Sequence, residues 1–293
     1  MSLVFRCLSW LPLALLHALG AALGWIVFLA SGTYRRRFKA NVAQAGLPWA
    51  AARPAIAAAG RMAAELPWLW VARKDRPFGD TVQWRNAELV EAALARKRGL
   101  VLLTPHLGCF EITAQALAER FTTPESPLTV LYRPARQAAL RDVMAGSRER
   151  PGLATAPASL AGVRQMIRAL RRGEAVGLLP DQVPPDGLGV WAPFFGRPAY
   201  TMTLAARLVQ QTGAAALLIW GERLGGGRGY VVHVLPAPEI APDATPEAAA
   251  TAINAAMEDL IRRAPGQYLW GYHRYKQPRG LDIGAAPPAG EPG

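Results

Sequence analysis

The chain has 293 residues, of which 51% are hydrophobic, and its formal net charge of +12 corresponds to a sequence pI of about 10.5. This length supports one large or two small domains with a sizeable core, and the composition excludes a disordered chain and a polytopic membrane protein. The two cysteines exclude a disulfide framework, and the excess positive charge points to nucleic acid, anionic membranes or acidic substrates as partners.

The N-terminal stretch 7–33 carries no formal charge at neutral pH. About 20 apolar residues cross the hydrocarbon layer of a bilayer as a helix, so residues 1–33 are expected to form a transmembrane or membrane-embedded anchor. The basic run 34–39 follows directly, and positive residues stay cytoplasmic, so we expect the rest of the protein on that side. A cleaved signal peptide is the alternative, and Pro12 and His17 leave a half-inserted helix open.

The following elements are predicted in chain order. Residues 34–75 are alanine-rich and read as helical with a kink or an end at Pro67, and residues 86–99 read as a capped amphipathic helix. From residue 100 onwards, strand-like runs alternate with helical patterns. The strand-like runs are 100–104, 128–132, 175–179, 215–220 and 230–235, and the helical patterns are 109–120, 135–149, 158–172 and 201–212. This alternation predicts an α/β fold, with a central, mostly parallel sheet flanked by helices. The tail, 278–293, is expected to be disordered.

The stretch GLVLLTPHLGCFEITAQAL, residues 99–117, places His106 just after a buried strand and Glu111 in the first turn of the next helix. In an open α/β sheet, ligands bind at the carboxyl ends of the strands. Glu111 can fold back to His106, where a carboxylate fixes the imidazole tautomer and supports the charge that forms when the other nitrogen takes a proton. Because no G-x-S-x-G motif occurs, the pair indicates a general base that activates a substrate hydroxyl.

Two other interpretations of this motif stay open. In the first, His106 is an ordinary loop histidine and Glu111 is a first-turn carboxylate favoured by the helix dipole. In the second, Cys109 is a nucleophile at a helix N-terminus beside a histidine, although its position inside the first turn and its apolar neighbours argue against this role.

The segment HLGCFE resembles the H-x4-D/E motif of the glycerolipid and lysophospholipid acyltransferase superfamily. More narrowly, it is similar to the His-Phe-Gly-Asn-Trp-Glu pattern of the bacterial lipid A biosynthesis (late) acyltransferases, with Cys and Phe in place of Asn and Trp. Four further blocks resemble this family in order and spacing: VLYRP (130–134), LLPDQ (178–182), APFFGRPAYTMTLAARLVQQTGA (192–214) and QYLWGYHRYK (267–276). The similarity reaches residue 277 and implies an acyltransferase domain over 34–277.

The resemblance implies an enzyme that moves a fatty acyl group from the acyl carrier protein thioester to a hydroxyl of a lipid A precursor or related glycolipid. It also implies a place at the cytoplasmic face of the bacterial inner membrane, with anionic lipids as partners. His106 would deprotonate the acceptor hydroxyl and Glu111 would orient His106, so both are expected to be catalytic, without a metal or another cofactor. The basic runs then fit an anionic leaflet or an acidic carrier protein, and nucleic acid is not expected.

The other blocks supply expected substrate-binding residues. Arg133 suits a phosphate on the acceptor or on the phosphopantetheine arm, and its alternative is a surface ion pair. Asp181 and Gln182 follow another strand and are expected in the site, without an assigned role for Asp181. His273 and Arg274 either reach acidic groups of the acceptor or shape the C-terminal packing.

Phe194 and Phe195 are the candidates for the wall of an acyl groove, although a Phe pair is more often core. The loop 183–193 lacks the basic residues expected in the family, and Asp186 is acidic. A different lipid acceptor (an ornithine lipid, a phospholipid or another glycolipid) is therefore an alternative. Further alternatives are a non-catalytic membrane- or carrier-binding protein, in which His106→Ala has no effect, and a hydrolase that releases free fatty acid.

Overall fold

The computed structural model describes residues 3–73, 76–132 and 150–278. Nine strands occur in these residues: β1 (Val82–Arg85), β2 (Leu100–Leu103), β3 (Leu128–Tyr132), β4 (Leu153–Pro157), β5 (Ala175–Leu178), β6 (Gly189–Phe194), β7 (Arg197–Met202), β8 (Ala215–Arg223) and β9 (Tyr230–Pro236). Seven of them form one sheet in the order β1-β9-β8-β2-β5-β3-β4. Neighbours in this sheet are parallel except for β8 and β9, so the predicted α/β fold with a mostly parallel sheet is confirmed.

The helices lie on both faces of the sheet and at the N-terminus. Within the described ranges they are α1 (Leu3–Ser9), α2 (Leu13–Ala30), α3 (Gly32–Gln44), α4 (Trp49–Ala52), α5 (Ala55–Ala64), α6 (Glu88–Ala95), α7 (Phe110–Phe121), α8 (Leu160–Arg171), α9 (Leu204–Thr212) and α10 (Pro246–Arg263). A π-helical turn, Trp68–Ala72, follows Pro67. The helix predicted over 135–149 falls outside the described residues.

The main departure from the predicted elements is an antiparallel hairpin of β6 and β7. Residues 201 and 202 belong to β7, and the helix predicted from residue 201 begins only at Leu204. The hairpin turns at Phe195 and Gly196, both with positive φ, and in the sequence it resembles a Pro- and Gly-rich loop.

Strand β2 is buried at all four positions because helices cover both faces of the sheet. Val101 and Leu103 pack into the core on one face, and Leu100 and Leu102 pack into the core on the other. A continuous apolar run of this kind is typical of a central strand in a parallel sheet. Because β2 ends at Leu103, the polar residues that follow it lie at the carboxyl edge of the sheet.

Helix α2 is apolar and long enough to cross a bilayer, with a mean hydropathy of 2.1, and one third of it is buried inside the protein. Its buried residues form one stripe that runs from the first turn to the last: Leu13, Leu16, His17, Gly20, Gly24 and Phe28. The two glycines let α5 approach closely, since a Cβ at Gly20 would lie 2.7 Å from the Cα of Arg61. Helix α2 is therefore docked on the domain along its whole length.

Candidate active site

His106 and Asp181 meet at the carboxyl edge of the sheet. They follow β2 and β5, which pair in parallel with Leu103 opposite Leu178. The backbone N–H of His106 donates to Oδ2 of Asp181 at 2.9 Å, and Nδ1 of the His106 ring lies 2.7 Å from Oδ1. These two bonds fix both the loop and the ring, and they place Asp181, which was expected in the site without an assigned role, beside the histidine.

The charge state of Asp181 defines the tautomer of His106. The Asp181 side chain is only 2% exposed, and burial by itself would raise its pKa. The neighbouring His106, its hydrogen bonds and the more distant Arg274 outweigh burial and lower the pKa of Asp181 below its usual value. Because an ionised carboxylate only accepts hydrogen bonds, Nδ1 of His106 carries the proton, and Nε2 of a neutral ring then has the free electron pair.

In the structure, the side-chain amide of Gln182 donates a hydrogen bond to this electron pair. Its Nε2 lies 3.0 Å from Nε2 of His106, which matches an amide N–H donating to an unprotonated ring nitrogen. Gln182 therefore places a hydrogen-bond donor at the second ring nitrogen of His106. This geometry agrees with the expectation that Gln182 lies in the site.

The bond expected between His106 and Glu111 does not form. Both ring nitrogens of His106 contact other residues, Asp181 and Gln182. Glu111 lies in the first turn of α7 as predicted, but its Oε2 accepts from the indole Nε1 of Trp70 at 3.3 Å. The carboxylate that contacts the His106 ring is therefore that of Asp181, and the Glu111 carboxylate contacts Trp70.

The loop between His106 and α7 depends on Gly108. This residue has φ +60°, and a Cβ there would clash with the carbonyl oxygen of Gly221 in β8. Neighbouring backbone bonds tie down both sides of the turn, with the N–H of Cys109 donating to Gly221 (2.8 Å) and the N–H of Leu269 donating to His106 (3.1 Å). The glycine of the motif is therefore required by both conformation and space.

Cys109 is buried, and burial raises the pKa of its thiol well above the ordinary value. The carboxylate of Glu65 nearby raises this pKa further. A thiol that stays protonated and enclosed is a poor nucleophile. The nucleophile interpretation of Cys109 therefore has no support in the structure.

A cavity of about 560 Å³ opens beside the histidine, and its wall includes His106, Glu111 and Gln182. The remaining wall is mainly apolar and includes Leu102, Leu117, Leu128, Val130, Gly177 and Ile219. Leu160 and Leu188 also line the cavity but are 74% and 52% exposed, so they belong to its mouth. The volume is within the range of small-molecule sites, and the lining suits a hydrocarbon chain.

Phe194 and Phe195 do not line this cavity, so the structure does not support their expected role in an acyl groove. Both are buried in the core, where the two rings contact each other edge to face with centroids 4.9 Å apart. The backbone N–H of Phe195 donates to Glu258 of α10 at 2.7 Å. The pair stabilises the β6–β7 hairpin against that helix, which is the common role of a Phe pair.

The C-terminal candidates separate into one buried and one exposed residue. Arg274 is 2% exposed and donates to the carbonyl of Tyr200 (2.8 Å) and to Oγ1 of Thr201 (2.7 Å), which makes it part of the C-terminal packing rather than a substrate ligand. His273 is exposed, and its pKa is lowered by partial burial and by the nearby cations Arg37, Lys276 and Arg197. Arg133, the expected phosphate ligand, lies outside the described residues.

A buried polar cluster behind the motif loop has no counterpart in the predicted site. Glu65 is fully buried, and it accepts from Nε of Arg223 (2.8 Å), from the hydroxyl of Tyr230 (3.0 Å) and from Nε2 of His17 (3.1 Å). Arg223 also donates to the carbonyl oxygen of Gly108 at 3.1 Å. The cluster therefore connects α2 to the loop that carries the histidine. A lone Glu in an alanine-rich helical stretch gave no sequence signal for it.

Comparisons with known proteins show what the whole chain is similar to. The sequence profile described as bacterial lipid A biosynthesis acyltransferase matches residues 2–277. The chain is 29% identical to a lipid A biosynthesis lauroyltransferase of Escherichia coli over 227 residues, which cover 76% of this chain and 70% of that protein. It is 27% identical to the palmitoleoyltransferase of the same organism over 72% of this chain and 66% of that protein. A Haemophilus influenzae lipid A biosynthesis acyltransferase is 25% identical, over 62% of this chain and 55% of that protein.

Proposed function

The chain belongs to the bacterial lipid A biosynthesis acyltransferase family, and from this premise we propose that the protein transfers a fatty acyl group to a hydroxyl of a lipid A precursor or a related glycolipid, with His106, held by Asp181, as the general base. The observation that carries the proposal is the 2.7 Å contact between Nδ1 of His106 and Asp181, which leaves Nε2 as a base at an apolar cavity. The acyl donor is an acyl carrier protein thioester.

The imidazole of His106 both takes and returns the proton in this reaction. Nε2 of His106 takes the proton of the acceptor hydroxyl as the oxygen attacks the thioester carbonyl. The tetrahedral intermediate then collapses, the carbon–sulfur bond breaks, and the imidazolium returns the proton to the departing thiolate. The ionised Asp181 stabilises the imidazolium between these two steps, because it accepts from Nδ1 throughout.

Gln182 is proposed to bind the reacting groups. Its amide leaves the 3.0 Å contact with His106 when the acceptor hydroxyl takes that place. The freed N–H then donates to the thioester carbonyl oxygen, on which negative charge develops. Glu111 is proposed as a second carboxylate of the site, since it lines the same cavity and is held by Trp70.

The cavity and the surface charges suggest how the substrates are placed. The apolar wall formed by Leu117, Leu128 and Ile219 would hold the acyl chain away from water. The exposed His273, among Arg37, Arg197 and Lys276, would face an anionic group of the acceptor or of the carrier protein. The apolar helix α2 would keep the enzyme at the cytoplasmic face of the inner membrane, where both substrates meet.

Mass spectrometry of lipids tests the proposed reaction. Cells that lack the protein should lose one acyl chain from a single glycolipid species, and the wild-type protein should restore that mass whereas His106→Ala should not. Purified enzyme should transfer the chain in vitro from acyl carrier protein faster than from acyl-CoA. Restoration of the lipid by His106→Ala would contradict the base mechanism, and unchanged lipids would contradict the acyltransfer itself.

The roles of the two carboxylates are separable by Asp181→Asn and Glu111→Gln. Loss of an orienting carboxylate leaves the ring in the wrong tautomer, so Asp181→Asn should lower kcat by roughly 10²–10⁴. Glu111→Gln keeps the Asp181 bond and should lower kcat less. Nitrogen-15 NMR of the His106 ring reports the tautomer without activity, and it should change only in Asp181→Asn. A tautomer change in Glu111→Gln instead would assign the orienting role to Glu111.

A further inference from the structure

We propose that α2 lies in the plane of the membrane interface and does not cross the bilayer. The inference rests on the proposed membrane association and specifies its geometry. The protein would contact a single leaflet through one face of this helix, with both helix ends on the same side as the catalytic domain.

The lipid-facing surface is the side of α2 opposite the buried stripe. Every residue on that side is apolar, and the large members are 41–65% exposed: Leu15, Leu19, Leu23, Ile26, Val27 and Leu29. Trp10, just before the helix, is 80% exposed, as is common for an aromatic residue at the headgroup level. This apolar surface extends over all 18 residues of the helix, so the partner that it fits is the continuous hydrocarbon region of a membrane leaflet.

Arginines from the neighbouring segments contact α2 at three levels along its axis. Arg61 donates to the carbonyl of His17, Arg53 stacks over the Trp25 ring at 5.8 Å, and Arg35 donates to the carbonyl of Leu29 at 2.8 Å. At a rise of about 1.5 Å per residue, these levels span roughly 18 Å of the helix axis. In a spanning helix Arg53 and Arg61 would lie within a hydrocarbon layer of about 30 Å, where charged groups are costly.

A cavity whose wall includes His17, Arg61, Arg223 and Gln267 leads to the same conclusion. About 400 Å³ of space opens beside the first half of α2, between Ala14, Ala18, Arg61 and Gln267. The ionised pair Glu65–Arg223 lies next to it and contacts α2 through His17. Water and headgroups can fill this space when the helix lies in the interface, whereas a spanning helix would place the cavity at the depth of the acyl chains.

The depth of spin labels along α2 distinguishes the two orientations. Cys7 is first replaced by Ser, and Cys109 is buried, so neither native cysteine takes a label. Four separate variants then each carry one labelled cysteine on the exposed face of α2: Leu15→Cys, Leu19→Cys, Leu23→Cys and Ile26→Cys. The full chain is reconstituted in vesicles of phosphatidylethanolamine with phosphatidylglycerol, and depth is read from oxygen and nickel-chelate relaxation. Exposed Glu239→Cys is the matched reference for a label in water.

An in-plane helix gives four labels at nearly one depth, about 5–10 Å below the headgroups. A spanning helix gives depths that differ by about 16 Å between residues 15 and 26, and any difference above about half of that overturns the proposal. Acyl transfer is assayed on the same labelled proteins. A steep depth profile with activity retained refutes only the orientation, whereas four labels as accessible as Glu239→Cys would refute the membrane association as well.

The native Cys7 provides a second, independent measurement. It lies in α1 and is exposed, so a membrane-impermeant maleimide reports the side of the membrane on which the N-terminus lies. The in-plane arrangement predicts labelling in inside-out vesicles and none in right-side-out vesicles. Labelling from the periplasmic side would show that α2 crosses the bilayer.

Discussion

Replacing Glu65 by Gln should be among the most destabilising single changes in this protein. The carboxylate is fully buried and bonded to Arg223, Tyr230 and His17. The side chain of Arg223 is itself only 3% exposed, so the substitution leaves a buried guanidinium without its counter-charge. Removing one partner of such a pair typically costs about 3–5 kcal/mol.

The pKa of Glu65 gives an independent magnitude. Burial would raise this pKa, but the Coulombic attraction and hydrogen bonds of Arg223 lower it from 4.5 to about 2. At about 1.4 kcal/mol per pKa unit, the shift corresponds to about 3 kcal/mol of stability at neutral pH. Because the folded-state pKa is depressed, this stability is present above about pH 4.5 and is lost as the pH falls towards about 2.

The assay is denaturant unfolding followed by tryptophan fluorescence, with exposed Glu239→Gln as the control. Glu65→Gln should lower the free energy of unfolding by about 3 kcal/mol at pH 7, and the difference from wild type should shrink below pH 4.5. The double variant Glu65→Leu/Arg223→Met removes both charges and should recover much of the loss. A loss below about 1 kcal/mol, or a double variant no more stable than Glu65→Gln, would refute the reasoning.

Three further outcomes follow from the packing. Gly177→Val should shift the transferred chain to shorter lengths in a mass-spectrometric assay, because the new side chain enters the cavity; unchanged lengths would mean that the acyl chain lies elsewhere. Gly60→Leu should detach α2 and lower the unfolding midpoint, because a Cβ there clashes with the backbone of α2; an unchanged midpoint would contradict this docking. A maleimide should label the native protein once, at Cys7, since Cys109 is buried with a raised pKa; two labels would contradict this burial.

The sequence predicted the edge of the sheet where the site forms. The apolar runs 100–104 and 175–179 correspond to β2 and β5, and parallel pairing brings the residues that follow them together. Periodicity sufficed here because buried central strands leave a continuous apolar signal. It also placed Glu111 correctly in the first turn of α7.

The partner of His106 was not predictable from local spacing. Glu111 is five residues away in the chain, yet Asp181, 75 residues away, makes the contact. The Glu111 carboxylate instead accepts from Trp70, which belongs to a π-helical turn that no sequence pattern indicated. The burial of Phe194 and Arg274 was not predictable from local spacing either. It results from the packing of the C-terminal segment against the β6–β7 hairpin, which is distant in the chain.

The close contact of α2 and α5 at Gly20, Gly24 and Gly60, here called the glycine seam, has a practical consequence for preparing a soluble enzyme. Deleting residues 1–30 would remove the surface that covers Ile56 and Gly60 and would take His17 away from Glu65. The shortened protein would lose the exposed apolar face of α2, but it would expose the apolar surface that α2 covers. It would also open the buried Glu65–Arg223 ion pair to water. Changing the outward leucines, such as Leu19 and Leu23, to polar residues keeps that seam closed, so solubility is better sought there than by truncation.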